Sequence, residues 1–159
     1  MLTRLHPPIA ADERATLDAF LDGARAAIRT SCSGVSDADA RRIALPGSGL
    51  TLCGAVSHLR WAEATWFEVA LRGERDRAPD QDYLADPDVP LAQLLDEYDA
   101  QCAMSRMIAA NLSLDTSVAG GGTRYNVRWI LLHMLEETRR LLGLMEAVRE
   151  LLVGDPVAG

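Results

Sequence analysis

The stretch Val127-Arg128-Trp129-Ile130-Leu131-Leu132-His133-Met134-Leu135-Glu136-Glu137-Thr138 decides the fold of this chain. At about 100° per residue, Val127, Ile130, Met134, Leu141, Leu144, Met145, Val148 and Leu152 share one face. The spacing predicts a helix from about Asn126 to Val153, stopped by Gly154 and Pro156. Glu137 falls near the middle of that face, and His133 lies at its margin one turn earlier. A carboxylate inside an apolar stripe needs a partner, a metal or a proton, because burying the isolated charge is strongly unfavourable. Glu136, Arg139, Arg140 and Arg149 read as the solvated face, and Met104, Met107, Met134 and Met145 as core filler.

Three more helical patterns precede this one. The first runs from about Ala11 to Thr30, with Leu17, Phe20, Leu21, Ala24 and Ile28 as its stripe and Asp12 and Glu13 at its positive end. Ser36 and Asp39 predict a capped short turn, and Pro46-Gly47-Ser48-Gly49 breaks the chain. The second long helix is expected from Thr51 to Gly73, with Leu52, Ala55, Leu59, Ala62, Trp66 and Val69 facing inward. Glu74 to Val89, rich in Asp, Arg and Pro, reads as a surface loop. Pro90 then opens a third helix carrying Leu91, Leu94, Leu95, Tyr98, Cys102, Ser105 and Ile108. Gly120-Gly121-Gly122 ends the next link, and no stretch shows convincing strand alternation. The expectation is an all-α four-helix bundle with long connecting loops, one domain over residues 1–159, of open topology.

Composition narrows the function. The 16 basic residues are all Arg and face 23 acidic ones, a net charge of −7, which argues against broad nucleic-acid or anionic-membrane binding. The first residues lack the apolar core of a signal peptide, and no apolar run is long enough to span a membrane. Cys32, Cys53 and Cys102 are few and widely spaced, the pattern of reduced thiols in a cytoplasmic protein. Phosphate-binding glycine loops, nucleophile elbows and zinc-finger spacings are absent from the sequence.

The candidate site comes from polar residues that interrupt the apolar faces. On the second helix, His58 sits at one edge beside Gly54, Ala55 and Ala62, small neighbours that leave space near the imidazole. Glu63 sits near the other edge. Trp61, Trp66 and Trp129 read as packing anchors, with Trp61 alternatively lining a pocket beside His58. His, Glu and small residues on facing helices are the material of bundle-core metal and catalytic sites. A hydrogen-bonded core histidine and a buried glutamate paired to His or Arg are the competing structural readings.

These residues carry a family resemblance. Leu52 to Phe67, with His58, Glu63, Trp66 and Phe67 as H-x4-E-x2-W-F, resembles the second helix of the DinB-like superfamily. Val127 to Thr138 resembles the last helix of its actinobacterial domain-of-unknown-function branch, as do Leu94-Leu95 with Tyr98, and Ser113-Leu114-Asp115. More distantly, the chain resembles the domain of mycothiol-dependent maleylpyruvate isomerases. The resemblance implies a four-helix bundle holding a divalent metal, often zinc or nickel, between helices. It also implies a low-molecular-weight thiol such as mycothiol as co-substrate. In such relatives one His comes from the second helix, and a Glu with a His four residues later comes from the last. His58 and Glu137 match the first two, as ligands or catalytic groups; Leu141 stands at the third position, and Leu144 where a further His is common. His133, four residues from Glu137 on the other side, is a substitute only if the ion shifts by about one turn, roughly 5.4 Å.

Three functions follow as expectations. One is a thiol S-transferase-like enzyme with an altered metal site that binds metal weakly or not at all. Another is a metal-free bundle whose His58/Glu137 pocket binds a small molecule or performs acid–base chemistry; Trp61, Glu63, His133, Leu141 and Leu144 are its pocket candidates. The third is an interaction protein, with a homodimer as its expected form.

Overall fold

The sequence signals for helix ends are realised almost residue by residue. In the computed structural model, which describes residues 7–79, 83–120 and 122–154, α1 spans Glu13–Ser31, α2 Asp37–Ala40, α3 Leu52–Glu63, α4 Leu91–Ala110 and α5 Val127–Val153. His6 and Pro156 lie outside the described residues. Asp12, Ser36, Thr51 and Asn126 each cap the helix that follows by accepting a backbone N–H, as short polar side chains at that position do. The Pro90 side chain cannot cap, and Asp37 of α2 reaches across instead, accepting from the Leu91 N–H at 2.7 Å. Gly154 ends α5 at φ 72°, a left-handed value that glycine adopts without a side-chain clash.

Two elements depart from the expectation. The second long helix changes type partway: α3 continues as a π-helix over Ala64–Leu71 before Gly73, at φ 71°, terminates it. The wider π turn is a rare variant that clusters at functional sites, and no sequence period announces it. The chain is also not purely helical. Strands β1 (Ser117–Gly120) and β2 (Thr123–Asn126) pair antiparallel, Ser117 opposite Asn126 and Gly120 opposite Thr123. Four-residue strands are too short to display alternation, and glycine at the turn (Gly122 at φ 83°) supplies the reversal. Backbone bonds from Val127 to Thr116 and from Arg128 to Leu114 then tie the hairpin to the start of α5.

Helix α5 packs against α1 and α3, and α3 against α4. Ile28, Leu52, Val56, Leu59, Tyr98, Leu141 and Met145 belong to one buried apolar cluster, and Leu21, Phe67, Val127, Ile130 and Met134 to another. The buried faces are rotated from the apolar stripes because polar residues join them. On α5, Thr138 is fully buried together with Leu131 and Leu142, so the face centres away from Glu137, which is left at the margin. On α1, Arg25 is buried and Phe20 is exposed. Met134 and Met145 fill the core as expected, whereas Met107 faces solvent.

Arg25 goes inside because Glu63 is there to receive it. Its Nε and Nη2 donate to the two Glu63 oxygens at 2.7 and 2.6 Å, with Arg25 4% and Glu63 0% exposed. The guanidinium also lies 5.6 Å from the centre of the Phe67 ring. Glu63 is therefore a partner of the α1–α3 contact rather than an edge residue of a pocket. A buried pair of this kind is unforgiving of half-removal. Glu63→Leu should lower unfolding stability by about 3–5 kcal/mol, measured by urea denaturation, whereas Arg25→Met with Glu63→Leu should recover most of the loss. Equal loss in the single and double variants would contradict this account of the pair.

Candidate functional site

Helix α3 presents His58 next to a segment that only a glycine lets approach. A Cβ at Gly54 would overlap the Tyr83 carbonyl oxygen, so the absence of a side chain admits the backbone of the 83–84 segment. The Ser57 hydroxyl donates to the Leu84 carbonyl at 2.9 Å and fixes that approach. Tyr83 adopts φ 60°, an uncommon left-handed value for a residue with a side chain. Its ring lies flat on the His58 imidazole, centroids 4.1 Å apart and planes 2° from parallel.

On the facing helix, Glu137 Oε1 stands 2.9 Å from His58 Nε2. Arg140, one turn further along α5, donates from Nη2 to Glu137 Oε1 at 2.7 Å and from Nε to Oε2 at 3.1 Å. The same Nη2 donates to the Tyr83 hydroxyl at 3.1 Å. A closed circuit results: Tyr83 on His58, His58 on Glu137, Glu137 on Arg140, Arg140 on Tyr83. Burial pushes the Glu137 carboxyl upward, but the hydrogen bonds from Arg140 and His58 outweigh it and hold the group below the ordinary glutamate value. Arg140 is held above its ordinary value by its bonds to Glu137 and Tyr83. An ionised Glu137 only accepts, so His58 carries its proton on Nε2 in this contact.

A cavity of about 240 Å³ borders His58, walled by His58, Trp61, Thr65, Trp66 and Tyr83 among others. Glu137 does not line it and reaches it only through its contact with His58 Nε2. Glu63 is spent on Arg25, and Leu141, 1% exposed, and Leu144 pack into the apolar core. His133 stacks on Trp129 (4.9 Å, 8°) and meets Trp66 edge-on (4.9 Å, 66°), so it belongs to an aromatic cluster and not to the His58–Glu137 contact. A larger open depression of about 510 Å³ over β2 and the first turns of α5 touches neither His58 nor Glu137. The three cysteines are buried and free of disulfides; burial pushes Cys32 up to about 11 and Cys102 up to about 12, and also raises Cys53. Thiols in such surroundings are poor nucleophiles at neutral pH.

Trp61 was legible as a pocket residue; Arg140 and Tyr83 were not. Arg140 read as surface, yet its three-residue spacing from Glu137 is the signal that would have found it. Tyr83 lies in a segment with no periodicity to read.

The sequence model of the mycothiol-S-transferase family matches residues 16–154. The chain belongs to the mycothiol-S-transferase family. This bears out the DinB-like resemblance of the two helices. No curated protein matches the chain. Among solved structures, a conserved protein from Enterococcus faecalis superposes with a TM-score of 0.73 at 14% identity, covering 92% of this chain and 100% of that one. That likeness shows a shared fold.

The donor set of this mycothiol-S-transferase relative does not fit the divalent metal that its resemblance implies. Catalytic zinc takes three protein ligands and an open position. Here His58 and Glu137 bond directly to each other, Arg140 occupies both carboxylate oxygens, and the third position is a core leucine. Among the described residues, no three His, Cys, Asp or Glu side chains come together as a metal-binding group.

The lowered Glu137 pKa has a pH consequence. Its folded value lies below its unfolded one, so the stability it contributes is present above the ordinary glutamate pKa and is lost as pH falls through the folded value. Arg140→Leu removes the largest downward contribution, so NMR titration should show the Glu137 midpoint moving up. An unmoved midpoint would contradict the assigned cause.

Proposed function

We propose that the chain binds a low-molecular-weight thiol, mycothiol being the one its family's description names, and promotes S-transfer by acid–base chemistry without a metal. The observation that carries this reading is the His58 Nε2–Glu137 Oε1 contact of 2.9 Å at the wall of an open cavity. In the proposed step the thiol gives its proton to His58, and the sulfur forms a C–S bond with an activated carbon of the acceptor. In an addition to a conjugated double bond, the neighbouring carbon then takes the proton back and nothing leaves. Glu137 steadies the imidazolium formed in between, and Arg140 keeps Glu137 ionised. Leu141 and Leu144 have a packing role in this reading.

The wider reading is of one four-helix-bundle domain made by α1, α3 with its π extension, α4 and α5, with the hairpin added at one end. Three buried free thiols and a thiol substrate suit the cytoplasm. A homodimer is the expected assembly, and sedimentation at several concentrations tests it; a monomer throughout would remove it.

The transfer assay follows conjugation of mycothiol to an enone acceptor, with and without EDTA. The expected result is a rate above the uncatalysed one that EDTA leaves unchanged. His58→Gln should lower kcat by about 10²–10⁴-fold, with Glu137→Gln acting in the same direction. Loss of the rate on chelation, or full activity in His58→Gln, would overturn the proposal. Thiol binding without turnover would support the alternative of a pocket that only holds its ligand.

A further inference from the structure

We infer that the aromatic side of this cavity selects a flat, uncharged, conjugated molecule of one or two rings as the acceptor; the inference rests on the thiol-transfer reading for its use, not for its geometry. Trp61, Trp66 and Tyr83 all face the same cavity, with the small side chains of Ala62 and Thr65 between the two tryptophans. Each ring is braced from outside it. Trp66 packs against Tyr125 (5.1 Å), Trp129 (5.2 Å) and His133 (4.9 Å). Trp61 has the Arg60 guanidinium 4.7 Å from its centroid, and Arg60 is in turn held by Glu97 at 2.8 Å. Tyr83 is fixed by its stack on His58 and by Arg140. Rings held this way offer stacking surface without being ordered at the moment of binding.

Size and charge narrow the ligand. A cavity of about 150 Å³ accepts benzene, so 240 Å³ has room for roughly two fused rings. It falls below the range of about 300–1,000 Å³ that encloses a whole drug-sized ligand. The slot therefore takes the acceptor's ring system, while the bulk of the thiol lies outside with its sulfur at His58. No arginine lines the slot among the described residues, and the guanidinium groups that touch its rings, Arg60 on Trp61 and Arg140 on Tyr83, are both engaged by carboxylates, so a neutral ring fits it better than an aromatic acid. Aromatic walls discriminate by shape, because offset-stacked and edge-to-face contacts need a flat partner.

The test is calorimetric binding of two neutral probes with the same carbon skeleton, 2-naphthol and its saturated counterpart 2-decalol, to the full chain without thiol. 2-Naphthol is expected to bind about ten-fold more tightly. Trp61→Ala should weaken 2-naphthol by about five-fold or more and leave 2-decalol nearly unaffected, while Trp61→Phe should restore most of the difference. Trp61 is the residue to change because Trp66 also holds the Tyr125–Trp129–His133 cluster and its loss risks the fold. Equal affinity for the two probes, or selectivity unchanged in Trp61→Ala, would overturn the inference. With no thiol present, failure of the slot leaves the transfer assay to be judged alone, and failure of transfer leaves the slot's selectivity measurable.

Discussion

Everything at the site depends on where one carboxylate finds its charge partners. Glu137 sits on α5 at the border between core and solvent, 19% exposed, and meets His58 from α3 and Arg140 from its own helix. Through Arg140 it also reaches Tyr83, so two helices and a connecting segment converge on a single side chain. The contribution to global stability is modest, because Arg140 is half exposed and pairs near water yield about 0–1 kcal/mol. Its effect is local: it holds His58 Nε2 at 2.9 Å on a residue that walls the cavity. The Arg25–Glu63 pair shows the contrast, being closed off from water and acting on the fold itself.

On the proposed metal-free reading, the same arrangement accounts for leucine at positions 141 and 144. A metal would supply positive charge to hold the carboxylate and the imidazole together. In this chain a guanidinium supplies the charge for the carboxylate, and the imidazole bonds to that carboxylate directly. Leu141 adds buried apolar area to the main cluster, which a polar ligand at that position would forgo.

Most of the fold was legible in the sequence because its signals are local. Asp12, Ser36, Thr51 and Asn126 mark helix starts, Gly73 and Gly154 mark ends, and the α4 stripe from Leu91 to Ser105 is buried as the spacing predicts. What stayed hidden has a physical cause in each instance. Apolar stripes are blind to polar residues that are buried because a partner meets them, so Arg25, Glu63 and Thr138 rotate faces that Leu and Val positions alone place elsewhere. A π turn changes hydrogen-bond spacing without changing composition, and strands of four residues have no room for a period. His58 and Glu137 stand out in the sequence as polar residues interrupting a pattern, and the structure brings them together. Arg140 and Tyr83 were missed because the first looks like any surface arginine and the second is placed by contacts distant in sequence.

The central claim is that a hydrogen-bonded His58–Glu137–Arg140 set stands where a metal centre would require a third ligand. Zinc titration of the native chain, purified without chelator and followed by calorimetry and elemental analysis, tests it most directly. The account predicts no stoichiometric zinc at micromolar metal. One zinc per chain at that concentration, lost in Glu137→Gln, would contradict it.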